Sequence, residues 1–329
     1  MAPRIDIFVF ADALGWEIAS RRGFASSLLP VRSRCETLLG YSSTCDPTIL
    51  TGTLPKDHGH FSFFVKAKGK SPFGGLRPFG ALPEVIAGHH RVRNKVSKML
   101  ARSLGYSGYF QLYSVPFSKL PYLDYSEKRD IYEKGGINGG QSTIFEHWNA
   151  SGKAWARSDW RRPDPENIAH ARALIDKGDV ELLYLFTARL DAVMHKYGTE
   201  HAETDAAFQQ FESDLTSIAD LASRRYRETR IHLFSDHGMA NVHACSDLLL
   251  RWNKLGWKYG RDYIAVWDST MARFWFHNES IRMEAESWLR SQPDGEVLDD
   301  SRLDGYGCLF PDRRYGELFY LLPSGSLFV

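Results

Sequence analysis

The sequence predicts an α/β protein with a doubly wound, mostly parallel central sheet, helices on both faces and an inserted cap-like segment. Short β-rich apolar runs recur along the chain, a strong amphipathic helix separates two of them, and a carboxylate follows the first. Strands that alternate with helices favour a parallel sheet with right-handed crossovers. Apolar residues make up 43% of the 329 residues and charged residues 25%, which is typical of a globular chain and excludes a disordered one. We expect a single α/β domain over residues 1–329.

The predicted core strands are four short apolar runs, at residues 5–10, 154–158, 182–186 and 231–234. The last two are separated by a helix whose apolar residues recur at three-to-four spacing: Phe208, Phe211, Leu215, Ile218 and Leu221. A strand, helix, strand order of this kind is the unit from which a parallel sheet is built.

Two further segments lie outside this pattern. Residues 61–140 are rich in Gly, Pro and aromatic residues and are too long and too apolar for a bare linker. We interpret them as a cap-like insertion, with a helix over 92–103 and a strand at 109–113. Residues 255–310 are interpreted as a small α+β elaboration, with strands at 263–267 and 271–277 and a helix near 279–290.

Composition excludes several classes of protein. Lys plus Arg number 41 and Asp plus Glu 40, so the net charge is +1 and a broadly basic nucleic-acid binder is not indicated, although a local basic patch is possible. The four Cys form no CxxC pair, so neither a zinc ribbon nor a dense disulfide framework is expected. No apolar run approaches the ~18 residues of a membrane helix and no signal-peptide pattern opens the chain. We therefore expect a cytoplasmic protein without a membrane span.

Carboxylates and histidines follow three of the predicted strands. Asp12 lies just past the first strand, where open α/β sheets place ligands, although its position alone favours the N-cap of the next helix. Asp191 and His195 are four residues apart and can share one helix face, either as metal ligands or as a surface pair.

Asp236 and His237 follow the last strand and precede Gly238, whose flexibility would let both side chains reach one cation. Carboxylate oxygen with imidazole nitrogen suits Zn²⁺ or Mn²⁺ better than Ca²⁺. Several such groups at one sheet edge suggest a two-metal hydrolase. The Ser/Thr-rich stretch at 40–52 fits either a capped helix start or a nucleophile.

The order of these motifs resembles the alkaline phosphatase superfamily, in particular its type I phosphodiesterase/nucleotide pyrophosphatase branch. The matching motifs are the strand followed by Asp12, Thr51-Gly52-x-x-Pro55-x-x-His58-Gly59, Asp191-x-x-x-His195 and Ser235-Asp236-His237-Gly238-Met239. The resemblance covers the sheet core and not the insertion at 61–140.

The resemblance implies a role for each matching residue. The family's nucleophile lies nine residues before the Thr of the Thr-Gly pair, which is Ser42 here, with Ser43 as runner-up. Two divalent ions are implied, Zn²⁺ with Mn²⁺ as the alternative. One would be held by Asp12, Asp236 and His237, and the other by Asp191, His195 and a further His. His58 would shape a loop rather than bind metal.

The sequence departs from the family pattern at three places. Cys45 occupies the substrate-binding position where relatives often have an Asn that donates to a phosphoryl oxygen, and a thiol is a poor donor. Cys45 and Lys66 are therefore the substrate-binding candidates, with backbone N–H groups at the helix start as a further source of donors. Ser42 replaces the usual Thr. No His-Gly pair follows residue 239, where the only later histidines are His243 and His277.

The resulting functional hypothesis is a metal-dependent hydrolase of phosphate esters that forms a covalent phosphoryl-serine intermediate, most simply a phosphodiesterase. A phosphomonoesterase or phosphotransferase of the same superfamily, or a binding protein that kept the fold and lost turnover, is the alternative. We expect a phosphate-ester partner and no specific nucleic-acid binding. The sequence leaves the substrate and the oligomeric state open.

Overall fold

The structure is a computed structural model that describes residues 2–329. Twelve strands run through these residues: β1 (Ala2–Ala11), β2 (Phe64–Lys66), β3 (Leu123–Tyr125), β4 (Trp155–Arg157), β5 (Leu182–Thr187), β6 (Tyr226–Phe234), β7 (Ala244–Ser246), β8 (Tyr263–Trp267), β9 (Met271–Phe276), β10 (Glu296–Leu298), β11 (Leu318–Leu321) and β12 (Ser326–Phe328).

The same residues form twelve α-helices and two short 3₁₀ segments, Gly74–Ala81 and Leu120–Tyr122. The helices are α1 (Trp16–Arg21), α2 (Ser42–Thr51), α3 (Pro55–His58), α4 (Glu84–Ala87), α5 (His90–Leu104), α6 (Ile144–Ser151), α7 (Asp164–Lys177), α8 (Arg189–Tyr197), α9 (Ala202–Arg225), α10 (Leu248–Asn253), α11 (Glu279–Arg290) and α12 (Asp300–Gly305).

The chain divides into two compact units. Unit 1 comprises residues 1–38 and 144–241, and unit 2 comprises residues 39–143 and 242–329. The predicted insertion at 61–140 and elaboration at 255–310 both belong to unit 2.

Unit 1 is built on a four-stranded sheet in the order β4-β5-β1-β6, in which every pairing is parallel. β1 lies between β5 and β6, so Phe10 pairs with Phe186 on one side and with Phe234 on the other. β5 is buried along its whole length, as expected for an inner strand of a parallel sheet. The predicted α/β class, with a mostly parallel central sheet flanked by helices, is confirmed.

Helix α9 supplies much of the unit 1 core because its apolar residues recur on one face. Phe208, Phe211, Leu215 and Ile218 are all buried there, in a cluster that also holds Ile7 and Val9 of β1. The predicted helix and the four predicted strands are therefore confirmed, with β6 beginning five residues earlier than the apolar run that predicted it.

Unit 2 contains a mostly antiparallel arrangement of strands. β10, β11, β9 and β8 form one antiparallel sheet in that order, and β2 pairs antiparallel with β3. The predicted helix at 279–290 matches α11 (Glu279–Arg290), and the predicted helix at 92–103 lies within α5. The sheet also takes in β11, beyond the predicted end of the elaboration at residue 310.

The predicted strand at 109–113 is wrong. Tyr113 has a φ of 46°, in the left-handed region, which a strand does not adopt. Backbone groups of this segment bond to side chains instead of to a neighbouring strand: Leu112 N–H donates to Ser97 Oγ (3.1 Å), and Tyr113 O accepts from the Arg93 guanidinium. The alternating aromatic side chains of this segment pack against other aromatic side chains of the insertion, and its backbone does not pair with a strand.

Among residues 2–329, no helix has the length and apolar character needed to cross a bilayer.

Candidate active site

Asp12 lies at the C-terminal end of β1, an inner strand of the unit 1 sheet. It follows β1 directly, and its backbone N–H donates to Thr187 O of β5 (2.9 Å), which continues the sheet pattern by one residue. The alternative role of Asp12 as a helix cap is wrong, because the N-cap of α1 is Gly15 and no side chain caps it. The Asp12 carboxylate is therefore available to bind a ligand.

Asp236 and His237 come from the end of β6. Asp236 is buried, and its Oδ1 accepts from Ala13 N–H (3.2 Å), which ties the loop after β6 to the loop after β1. His237 Nε2 lies 3.1 Å from Asp236 Oδ2 and 3.8 Å from Asp12 Oδ1.

The hydrogen bond of His237 Nδ1 determines the tautomer of the ring. His237 Nδ1 lies 2.9 Å from Gly238 O, and a carbonyl oxygen only accepts, so Nδ1 carries the proton. In the neutral ring, Nε2 then keeps a lone pair on the side of Asp12 and Asp236. A backbone carbonyl that fixes the ring in this way is typical of metal-ligating histidines.

Asp191 lies in the first turn of α8, and His195 lies one turn later on the same helix face. His195 Nε2 is 3.2 Å from Asp191 Oδ1, and this hydrogen bond raises the pKa of His195. The His195 side chain is two-thirds exposed, whereas that of Asp191 is about one-quarter exposed.

Ligand atoms of Asp12, Asp191 and His237 all lie within 4.8 Å of one another. The structure thus brings together residues that the sequence assigned to two different ions. Asp236 joins the group through His237, and His195 joins it through Asp191. We call these five residues the carboxylate–histidine cluster.

The electrostatics of this cluster favour a bound cation. Burial, together with the negative charges of Asp236, Asp191 and Asp164, raises the pKa of Asp12 to about 9. Asp12 Oδ1 and Asp236 Oδ2 are both buried without a hydrogen-bond partner. Buried oxygens of this kind cost free energy unless they are paired. Their chemistry, carboxylate oxygen with one imidazole nitrogen, fits a divalent ion such as Zn²⁺ or Mn²⁺.

Two glycines let the loops of the cluster approach each other. A Cβ at Gly15 would lie 2.4 Å from Gly238 Cα, a distance that no real side chain tolerates. Ala13, between Asp12 and Gly15, has a φ of 60° in the left-handed region. Strain next to a functional residue is the pattern expected where the surrounding fold dictates the backbone.

Asp164 is a residue that the sequence reasoning missed. It opens α7, and its carboxylate accepts from the backbone N–H groups of Ala188 (2.9 Å) and Arg189 (3.1 Å) at the start of α8. It therefore positions the helix that carries Asp191. The sequence Pro163-Asp164-Pro165-Glu166 indicates a helix start with an acidic residue in its first turn. That pattern does not reveal that Asp164 contacts a second helix.

Ser42 and Ser43 begin α2 in unit 2. Ser43 is buried and its hydroxyl donates to Phe61 O (3.2 Å), as does that of Thr44 (2.5 Å). Ser42 is the first residue of the helix and is half-buried. Gly40, just before it, has a φ of 127°, and a Cβ there would lie 2.1 Å from Thr44 Oγ1. The turn into α2 therefore requires glycine.

The predicted substrate-binding residues Cys45 and Lys66 also lie in unit 2. Cys45 is buried in α2, and its backbone N–H donates to Tyr41 O (3.1 Å). Lys66 ends β2 and is half-buried.

His58 is the last residue of α3 and contacts α2. It is fully buried, its Nδ1 accepts from His60 N–H (3.2 Å), and its Nε2 lies 2.8 Å from Thr48 Oγ1. These contacts agree with the loop-shaping role implied for it. His243 and His277, the histidines that follow the last motif, are both exposed in unit 2.

Comparison with known proteins identifies a family for this chain. The model of the family described as type I phosphodiesterase/nucleotide pyrophosphatase matches residues 41–299, and a search of curated protein sequences finds no match.

The fold is similar to several solved structures. Murine ectonucleotide pyrophosphatase/phosphodiesterase 5, in an inactive form in complex with AMP, is 12% identical, with a TM-score of 0.67 over 99% of this chain and 80% of its own. The human protein of the same name is 10% identical, with a TM-score of 0.66 over 99% and 80%. Phosphonoacetate hydrolase from Sinorhizobium meliloti 1021, in complex with phosphonoacetate, is 15% identical, with a TM-score of 0.58 over 99% and 82%. At these identities the likeness establishes the fold.

Proposed function

This chain belongs to the type I phosphodiesterase/nucleotide pyrophosphatase family and is a phosphoester hydrolase, and we propose that it cleaves phosphodiesters or nucleotide pyrophosphates through a covalent phosphoryl-serine intermediate. The observation that carries the proposal is the carboxylate–histidine cluster, in which buried oxygens of Asp12 and Asp236 have no hydrogen-bond partner. The family generally depends on divalent metal ions.

In the proposed site, two divalent ions, Zn²⁺ or alternatively Mn²⁺, are held by Asp12, Asp191, His195, Asp236 and His237. When bound, such ions offset the negative charge that develops on a transferring phosphoryl group. The chain's own residues prepare the ligand atoms: Gly238 O fixes the His237 tautomer, and Ala13 N–H orients Asp236.

Ser42 is the proposed nucleophile, because its position at the start of a ten-residue helix favours the hydroxyl in its ionised form. Ser42 Oγ forms a bond to phosphorus, the ester oxygen leaves with its electron pair and takes up a proton, and water then cleaves the Ser–O–P bond. Ser43 is less suited, because its hydroxyl is buried and already donates to Phe61 O.

Turnover of chromogenic esters tests the substrate class. Purified protein is assayed with Zn²⁺ or Mn²⁺ on bis-p-nitrophenyl phosphate, p-nitrophenyl thymidine 5′-monophosphate, p-nitrophenyl phosphate and p-nitrophenyl sulfate. We expect the two diesters to be preferred and turnover to stop with a chelator. Preference for the monoester would assign a phosphomonoesterase, and no turnover of any ester would contradict the proposal.

Variants at Ser42 test the nucleophile. We expect Ser42→Ala to lose at least about a hundredfold in kcat, as is usual when a covalent step is removed. Ser42→Thr keeps a hydroxyl and should retain measurable activity, and Ser43→Ala serves as the matched control. Intact mass after rapid acid quench should show a phosphoryl or nucleotidyl adduct in the Ser42 protein only. Full activity of Ser42→Ala would refute the assignment.

A further inference from the structure

The insertion in unit 2 carries a charge distribution unlike that of the rest of the chain. Residues 85–123 contain no Asp or Glu, although the whole chain is nearly balanced at 41 basic and 40 acidic residues. The basic residues of this run are Arg91, Arg93, Lys95, Lys98, Arg102 and Lys119. The positive charge is therefore local, and overall composition conceals it.

Four of these cations form a stripe on α5. Arg91, Lys95, Lys98 and Arg102 are spaced four, three and four residues apart, so they share one helix face, and all four are exposed. We call them the α5 basic stripe. Arg93 lies on the opposite face, where it is buried and donates to Ala87 O (3.0 Å) and to the carbonyls of Tyr113 and Val115. It fixes α5 to the insertion rather than facing solvent.

The four side chains of the α5 basic stripe are exposed. In the part of the chain that the structure describes, none of its four side chains takes part in a hydrogen bond or an ion pair. Elsewhere, exposed arginines commonly pair with acidic neighbours, as in Arg225 with Asp176 and Arg313 with Asp300. Four neighbouring cations that have no ionic partner among the described side chains repel one another, and an external anionic surface would relieve that repulsion.

Exposed apolar side chains occur on α5 and in the segment just before it. Val85 is 86% exposed, Met99 59% and Phe79 46%, and Leu82 is also exposed. Met99 follows Lys98 on α5. The Phe79 ring packs on Phe117 at 6.4 Å, and the Arg93 guanidinium lies over the same Phe117 ring at 4.8 Å, so Phe79 borders the start of α5. We call Phe79, Leu82, Val85 and Met99 the apolar edge.

We propose that the α5 basic stripe and its apolar edge bind the surface of a membrane that contains anionic lipids. Lysines and arginines beside protruding aliphatic side chains fit such a surface, because the cations meet lipid phosphates while the apolar groups enter the headgroup region. Three of the four apolar residues are not aromatic, whereas a single-stranded nucleic acid site would be expected to offer aromatic rings for base stacking. Binding is peripheral and is independent of the phosphodiesterase chemistry.

Vesicle cosedimentation tests this surface, with Ser42→Ala as the background so that no lipid is hydrolysed. The protein is mixed with vesicles of phosphatidylcholine alone or of phosphatidylcholine and phosphatidylglycerol at 70:30. We expect binding to the anionic vesicles only, weakening as salt rises. Lys95→Gln/Lys98→Gln should lower the partition coefficient roughly 25-fold, about fivefold per cation. Val85→Ser/Met99→Gln should weaken binding at every salt concentration.

A matched control separates the stripe from general charge. Lys153→Gln/Lys177→Gln removes two exposed lysines of unit 1 and should bind anionic vesicles like the parent. Circular dichroism checks that each variant folds. The proposal is overturned if the control loses binding equally, if pure phosphatidylcholine binds as well, or if neither vesicle binds. It is also overturned if a labelled single-stranded 20-mer DNA, and not the vesicles, binds in a way that depends on Lys95 and Lys98.

Discussion

The Asp12 carboxyl is buried near three other carboxyl groups, and its Oδ1 has no hydrogen-bond partner. Without a cation, the folded state favours its protonated form, which is why its pKa lies near 9. A bound divalent ion would reverse this preference, since it stabilises the ionised ligand. The free energy of metal binding is thus coupled to the loss of a proton from Asp12.

Metal-free protein should become less stable as pH rises. The pKa of Asp12 is 3.8 when unfolded and about 9 when folded, so between these values the folded state binds more protons. The stabilisation is fully present below about pH 4 and is lost as pH rises towards 9. Urea unfolding at pH 5, 7 and 9 after chelation should show a contribution approaching 1.4 kcal/mol per pH unit. Asp12→Asn should remove that contribution, and an unchanged pH slope in this variant would contradict the assignment.

At the scale of elements, Asp164 links α7 to the first turn of α8 and so to Asp191. Asp164→Ala removes both acceptors of the Ala188 and Arg189 N–H groups, which should cost about 1–3 kcal/mol of unfolding free energy. Because α8 is no longer held, Zn²⁺ affinity measured by calorimetry should also fall. Asp176→Ala, an exposed residue in the last turn of α7, is the matched control. Loss of stability with unchanged Zn²⁺ affinity would show that Asp164 does not position Asp191.

The Gly15–Gly238 approach makes a second prediction about elements. Gly15→Ala places a methyl group 2.4 Å from Gly238 Cα, so the loop that carries His237 must move. We expect at least about a hundredfold loss of kcat/KM, since a displacement of about 1 Å at a catalytic site can cost this much. Gly69→Ala, whose Cβ meets nothing within 4 Å, should behave like the parent. Equal activity of the two variants would show that the close approach is not required.

At the scale of the whole molecule, unit 2 should respond to pH differently from unit 1, because it holds buried groups whose pKa values are shifted in both directions. Burial lowers the pKa of His58 to about 4 and that of His60 to about 3, the latter helped by repulsion from His58. Both lie in unit 2, and their contribution to stability is present above pH 6.5 and is lost as pH falls towards 3. Glu127, also in unit 2, acts oppositely between pH 4.5 and about 8, because burial raises its pKa.

Scanning calorimetry of chelated protein can resolve these effects. Lowering the pH from 6.5 to 4.5 should destabilise unit 2 on balance, because two buried histidines outweigh the single carboxyl of Glu127. Raising it from 6.5 to 9 should destabilise unit 1 through Asp12 and unit 2 through Glu127. His58→Gln isolates the histidine contribution from that of Glu127, because it should flatten the acid limb and leave the alkaline limb unchanged. An acid limb that is identical in the parent and His58→Gln would contradict this explanation.

Sequence reasoning reached the parts of the molecule that depend on local pattern. The spacing of apolar residues predicts the buried strands and α9. Asp12, Asp236 and His237 are predicted as site residues because each follows a strand. Sequence reasoning failed where tertiary contacts determine the backbone conformation or the partner of a side chain. Arg93 is distant in sequence from residues 109–113, yet its guanidinium donates to Tyr113 O, a carbonyl that a strand would have paired. Asp164 likewise acts through its contact with α8. The grouping of Asp191 with Asp12 and His237 likewise depends on how the loops meet in space.

The central position of β1 has a consequence for synthesis. Its partners are β5 and β6, so Phe10 finds Phe186 and Phe234 only after most of the chain has been made. At about 5–20 residues per second, roughly 10–35 s separate the translation of Phe10 from that of Phe186. During that interval the apolar strand emerges from the ribosome without its neighbours, and it is then a natural substrate for a nascent-chain chaperone.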